Sequence, residues 1–261
     1  MNDTDVTLAM HLRMLHLPSM LREYLDYAQK ARKNNWEHQR YLKTLCELEV
    51  QDRNVRRIER NLRKSNLPDG KTMATLDLSK LPKNVKQLVP TLLEGHFVQK
   101  AENVLCFGLP GRGKTHLLCA IAHELIVEKG FEVLFISTFS LVQRLLKAKQ
   151  ELVIEQMFKK LDRFDVVLLD DIGYVQQTRE EMEVLFTFLA ERYERRSIMI
   201  TSNLVFSEWD KIFKDPMTTA AAIDRLVHHS TILELSGIDS FRTAQAQKNK
   251  ERRQKNSTIN G

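Results

Sequence analysis

Three short runs carry residue types and spacings that can do chemistry. The first, Gly108-Leu109-Pro110-Gly111-Arg112-Gly113-Lys114-Thr115, fits the pattern G-x-x-x-x-G-K-[ST]. Its glycines let the chain wrap closely around an anion, with backbone N–H groups and a helix N-terminus aimed at phosphate oxygens. Lys114 is then placed for β- and γ-phosphates and the Thr115 hydroxyl for Mg²⁺. The nucleotide-contacting set expected from this run is Gly108, Pro110, Gly111, Arg112, Gly113, Lys114, Thr115 and His116. The second run, Val166-Val167-Leu168-Leu169-Asp170-Asp171, is an apolar strand that ends in two carboxylates. Asp170 is expected to hold Mg²⁺ and Asp171 to orient and deprotonate a water. The third, Thr201-Ser202-Asn203, closes another apolar strand, and Asn203 is expected to hold that water near the γ-phosphate.

These runs need a scaffold that brings strand ends together. From Asn103 onward, strands are expected at 104–107, 133–136, 166–169, 198–201 and 231–235. Helices are expected between them at 114–128, 138–149, 151–161, 179–195 and 220–227. Continuous apolar strands alternating with helices predict an α/β fold, with a five-stranded parallel sheet covered on both faces. Asp224-Arg225-Leu226 falls between the fourth and fifth strands, where ring-forming ATPases place an arginine that acts on a neighbour's γ-phosphate. Arg225 is expected in that role.

Residues 5–65 lack Gly, contain only Pro18 as a breaker, and read as helices. On a helical wheel Arg53, Arg56, Arg57, Arg60, Arg63 and Lys64 fall within roughly 120° of one another. Val55, Ile58 and Leu62 lie opposite. A cationic stripe of this kind fits phosphate-backbone contact; a solvated helix face is the plainer reading. Charge is uneven along the chain. Residues 1–100 carry 18 Lys and Arg against 12 Asp and Glu, residues 101–238 carry 16 against 20, and residues 239–261 carry 6 against 2. Basic ends around an acidic middle suggest a polyanion partner, most often nucleic acid; a merely soluble surface also fits. The expected organisation is a small all-α N-terminal domain over 1–68, a linker over 69–100, the ATPase core over 101–238 and a basic tail over 239–261. The three cysteines form no paired framework. Without a signal-peptide pattern or a long apolar run, a cytoplasmic protein with no membrane partner is expected.

With these elements in register the chain resembles the AAA+ ATPases of the initiator and helicase-loader clade. It is more closely similar to the IstB family, the bacterial transposition helper ATPases encoded beside a transposase. The stretches that carry the resemblance are Gly108–Thr115, Asp170-Asp171-Ile172-Gly173-Tyr174, Thr201-Ser202-Asn203-Leu204, Phe213-Lys214-Asp215-Pro216, Ala222-Ile223-Asp224-Arg225-Leu226 and Ser240-Phe241-Arg242. The resemblance implies a P-loop AAA+ core, ATP and Mg²⁺ as cofactors, and double-stranded DNA bound without strong sequence specificity. It also implies ATP-dependent self-assembly on that DNA and a partner transposase. Arg242 is expected as a second sensor of the γ-phosphate. Many AAA+ enzymes carry Glu at the second acidic position. Asp171 is one methylene shorter, which implies slow intrinsic turnover suited to a switch. A DnaC-like replicative helicase loader is the alternative reading, with the same fold and nearly the same chemistry.

Overall fold

The computed structural model describes residues 3–173, 178–204, 209, 226, 227 and 229–235. The chain divides into two compact units, Met1–Arg60 and Asn61–Gly261. The first unit holds α1 (Asp3–Met14), α2 (Pro18–Lys33) and most of α3 (His38–Ser65). Pro18 opens α2 at a position where its missing N–H costs nothing. Leu17, at the N-cap of α2, offers no side-chain acceptor. The acceptor comes from α3. Glu49 Oε2 takes the N–H groups of Ser19 (2.9 Å) and Met20 (3.3 Å), and Asp52 Oδ2 takes the Ser19 hydroxyl (2.5 Å). Glu49 thus satisfies the orphan donors of a helix start, and both carboxylates offset its partial positive charge. The apolar core of this unit is small: Leu12, Met20, Tyr24 and Leu45 are its buried residues.

The second unit is a five-stranded parallel sheet in the order β2-β3-β4-β1-β5. The strands are β1 (Asn103–Phe107), β2 (Val133–Ser137), β3 (Val166–Ile172), β4 (Ser197–Ser202) and β5 (Ser230–Glu234). Four of the helices in this unit are α6 (Lys114–Val127), α7 (Thr138–Gln150), α8 (Ile154–Leu161) and α9 (Arg179–Arg192). The α/β prediction therefore holds, with strand positions matching to within a few residues. Side chains alternate between two buried layers, as the pleat requires. Val104, Cys106, Val166, Leu168 and Met199 join the layer containing α6, while Leu105, Phe107, Val167, Leu169, Ile198 and Ile200 join the layer containing α7 and α9.

The expected linker over 69–100 is corrected. It contains a short 3-10 helix at Leu78–Lys80, then α4 (Lys83–Leu93) and α5 (His96–Gln99). Val85, Val89 and Leu92 recur at helical spacing and are buried with Leu76, Leu81 and Phe97 in the α6 layer. Pro82 is the N-cap of α4, and Pro90 sits inside the helix, so neither marks a break. The boundary between units also falls inside α3 rather than at residue 68. Val55, expected on the packing side of α3, is 52% exposed.

A buried arginine ties the N-terminal ends of two strands to the helices around them. Arg192 is 1% exposed and donates to the carbonyls of Leu161, Phe164 and Ser197. Burial pushes its pKa down to about 10, with Asp162 acting in the opposite sense, so it stays charged at neutral pH. No helix among the described residues is long and apolar enough to cross a membrane.

Candidate nucleotide site

The loop expected to bind phosphate joins the C-terminal end of β1 to α6. Gly108 has φ 153°, and a Cβ there would stand 3.0 Å from the backbone oxygen of Leu235, just past β5, so a side chain would press on that backbone. Gly113, at the N-cap of α6, has φ 89°. Both positions need the freedom that glycine alone has at no steric cost. Lys114 opens α6 and is 5% exposed. Its ammonium donates to Gly108 O (2.7 Å), Leu109 O (3.2 Å) and Asn203 Oδ1 (2.5 Å). The loop lysine and the amide at the end of β4 are 89 residues apart in sequence, yet they touch.

The Thr115 hydroxyl donates to Asp170 Oδ1 at 2.8 Å, and Thr201 donates to the same oxygen at 2.7 Å. Thr201 also accepts the N–H of Asp171 at 2.8 Å. Thr138, at the start of α7, donates to the Asp170 carbonyl at 3.0 Å. The acidic pair was expected to end an apolar strand whose core was placed at 166–169. β3 runs through both carboxylates and one residue further, to Ile172, with a register shift between Leu169 and Ile172. Asp170 is half-buried and Asp171 exposed. A hydroxyl and a carboxylate oxygen 2.8 Å apart, beside an anion-binding loop, are hard oxygen donors of the kind Mg²⁺ takes while keeping several waters. Thr115 and Asp170 therefore fit the expected cation.

His116 lies in the first turn of α6, and its Nε2 is 3.0 Å from the Thr75 hydroxyl. Burial lowers its pKa, partly opposed by a hydrogen bond with the Thr72 backbone, so the ring is neutral at pH 7. The 70–75 turn thus sits against the loop helix, a neighbour the sequence reading did not anticipate. Pro110, Gly111 and Arg112 stand in the loop itself. Arg225 and Arg242 lie outside the described residues, as do Tyr174, the Phe213–Pro216 run and most of the expected 220–227 helix. Leu226 is described and is buried in the α7 and α9 layer. Trp209, which sequence reasoning missed, is fully buried against Phe107, with its indole N–H donating to Leu204 O at 3.2 Å.

A family model described as "IstB-like ATP binding protein" matches residues 10–249. The chain belongs to this family. It is 42% identical over 250 residues to an insertion-sequence ATP-binding protein of Sinorhizobium fredii, covering 95% of this chain and 83% of that one. It is 36% identical over 248 residues to the ATP-binding protein of insertion sequence IS21 from Pseudomonas aeruginosa, covering 95% and 91%. Among solved structures it is similar to AMPPCP-bound DnaA from Aquifex aeolicus, with a TM-score of 0.55 at 18% identity, covering 72% of this chain and 56% of that one. It is similar to DnaI with a TM-score of 0.54 at 20% identity, covering 65% and 95%. At such identities the likeness concerns the fold alone.

The cationic stripe on α3 is not uniform. Arg53 is held by Glu49 at 2.9 Å and by the His16 carbonyl at 2.8 Å. Arg56 pairs with Asp52, and Lys64 stands 3.7 Å from Glu132. Arg57, Arg60 and Arg63 are exposed, with no ion pair among the described residues. The i,i+4 spacing of Glu49 to Arg53 and of Asp52 to Arg56 was visible in the sequence and predicts those pairs.

Proposed function

We propose that this chain hydrolyses ATP and uses that reaction as a switch while it assembles on target DNA and delivers it to a partner transposase. The observation that carries the ATPase reading is the convergence of Lys114, Thr115, Asp170 and Asn203 at the C-terminal ends of β1, β3 and β4. This edge is where open parallel sheets bind ligands. The loop amides and Lys114 bind and orient the triphosphate. Thr115 and Asp170 would hold Mg²⁺, which would supply charge neutralisation at the phosphates when bound. Exposed Asp171 accepts a proton from the attacking water, and Asn203 keeps that water in line with the γ-phosphorus. Arg225 of an adjacent subunit completes the site by neutralising charge that builds on the γ-phosphate, and Arg242 senses the same group. The chain acts in the bacterial cytoplasm.

The DNA reading is supported by the exposed Arg57, Arg60 and Arg63 on α3, which suit phosphates of any sequence. The transposase reading is supported by family membership and by relatives that are named as insertion-sequence proteins. The test combines two variants. Lys114→Ala is expected to lose tight ATP binding and assembly on DNA. Arg225→Ala is expected to keep ATP binding and lose most DNA-stimulated phosphate release. Mixing the two restores some activity, because one subunit supplies an intact loop and the other an intact finger. No recovery in the mixture, together with full turnover by Arg225→Ala alone, refutes trans activation. Unchanged ATP affinity in Lys114→Ala refutes the site.

A further inference from the structure

We infer that Thr201 is the positioning residue for the acidic pair, its one hydroxyl setting where Asp170 and Asp171 point. The inference rests on the ATPase reading above. Along β3, Val166 and Leu168 pack in the α6 layer, and Val167 and Leu169 pack in the opposite layer. Strict alternation would return Ile172 to the α6 layer, yet Ile172 packs with Leu169. The pairing with β4 gives the reason. Leu169 faces Ile200 and Ile172 faces Ser202, so Asp170 and Asp171 together stand opposite Thr201 alone. One extra residue has been inserted into β3, a β-bulge of the kind that re-aims side chains beside active sites. Asp171 sits in it at φ 58°, a backbone conformation that residues other than glycine rarely adopt.

Thr201 is fully buried, on the same side of the sheet as Asp170. A hydroxyl has one proton to donate and lone pairs to accept. Thr201 donates to Asp170 Oδ1 and accepts the N–H of Asp171, the amide that the bulge turns out of the strand ladder. It therefore fixes the bulged backbone and one oxygen of the cation-facing carboxylate at once. Thr115 reaches that same oxygen, so Asp170 Oδ1 is held from β4 on one side and from the loop helix on the other. Partners of this kind, which orient a ligand without touching the ion, typically change metal affinity or activity by about 10–100-fold when removed.

The test compares Thr201→Val, which keeps the shape and removes the hydroxyl, with Thr201→Ser, which keeps the hydroxyl. The readouts are binding of a fluorescent ATP analogue across a Mg²⁺ titration, and phosphate release. The Val variant is expected to bind the analogue in EDTA about as well as the parent does. It is expected to need about 10–100-fold more Mg²⁺ for the same gain in affinity, and to turn over more slowly by a similar factor. Ser is expected to restore both. Thr201→Cys, with a weakly hydrogen-bonding thiol, takes the place of Val if that variant does not fold. A Val or Cys variant with the parent's Mg²⁺ requirement overturns the inference, and so does a Ser variant as impaired as Val. If the parent itself releases no phosphate, the ATPase reading fails, while the Mg²⁺ titration still decides the role of Thr201.

Discussion

Asn203→Ala is expected to tighten ATP binding and slow its hydrolysis, two effects of opposite sign from one amide. The Lys114 ammonium donates to Asn203 Oδ1 and to two loop carbonyls. A γ-phosphate oxygen that draws on the same ammonium must displace at least one of these acceptors, and Asn203 is the one on a different strand. A hydrogen bond to a charged group contributes about 1.5–3 kcal/mol. Asn203 is only half-buried, so the lower end applies. About 1.4 kcal/mol is a factor of ten, so removing the competing acceptor lowers the dissociation constant of ATP by up to about tenfold. The loop carbonyls keep Lys114 in place. Turnover moves the other way. A donor that acts mainly in the transition state is typically worth about 10²–10³ in kcat. The assay is equilibrium binding of a fluorescent ATP analogue with Mg²⁺, set beside steady-state phosphate release on the same preparation. Weaker binding with unchanged kcat refutes this reasoning, since Asn203 would then hold the ground state rather than compete with it. No change in either quantity means that the contact with Lys114 carries no energy.

Asp171→Asn is expected to bind Mg-ATP as the parent does and to hydrolyse it far more slowly, because an amide cannot take the proton of the water; near-normal phosphate release would reassign the base. Replacing Arg57, Arg60 and Arg63 by Ala is expected to weaken binding to all duplex sequences alike and to flatten its salt dependence by about 0.9 log units per lost phosphate contact. Replacing Arg53 and Arg56 instead is expected to lower the melting temperature of the helical unit and to leave the salt slope nearly unchanged, because both are already held by Glu49 and Asp52; an affinity and salt slope equal to the parent's in the Arg57, Arg60 and Arg63 variant would return the stripe to a solvated face. The helical unit is also expected to lose stability in acid. Burial pushes the pKa of Glu49 up, but hydrogen bonds from Arg53, Ser19 and Met20 together bring it below the ordinary value, and those from Ser19 and Arg56 lower that of Asp52. A depressed folded-state pKa stabilises the fold above the ordinary carboxylate range and loses that contribution as pH falls through the lowered value. Thermal melts from about pH 5 downward are expected to drop less steeply in Glu49→Gln than in the parent, and an equal slope would show that the carboxylate is not linked to folding.

The phosphate loop and the parallel sheet were legible because their signals are local. Eight consecutive residues state the loop, and apolar runs four or five residues long with helices between them state the sheet. The segment over 69–100 was misread for an equally local reason. Pro82 and Pro90 look like breaks, yet burial of Val85, Val89 and Leu92 against the α6 layer outweighs the proline penalty. The stripe on α3 was seen as six equal cations because a helical wheel shows angle and not partners.

The amino-acid order by itself carried the expectation that Lys114 and Thr115 handle phosphate and metal, since a glycine-rich turn followed by Lys and Thr at the start of a helix has few other uses. It also determined the strand-helix alternation, because continuous apolar strands need cover on both faces. Tertiary structure alone decided that Lys114 meets Asn203, that Thr115 and Thr201 share one oxygen of Asp170, and that Glu49 caps a helix 30 residues upstream. The bulge is the clearest case. A run of Leu, Leu, Asp, Asp and Ile carries no sign of an inserted residue, because a bulge is a mismatch between two strands. It exists only once β3 has been laid beside β4 and Ile172 has been pulled into the same layer as Leu169.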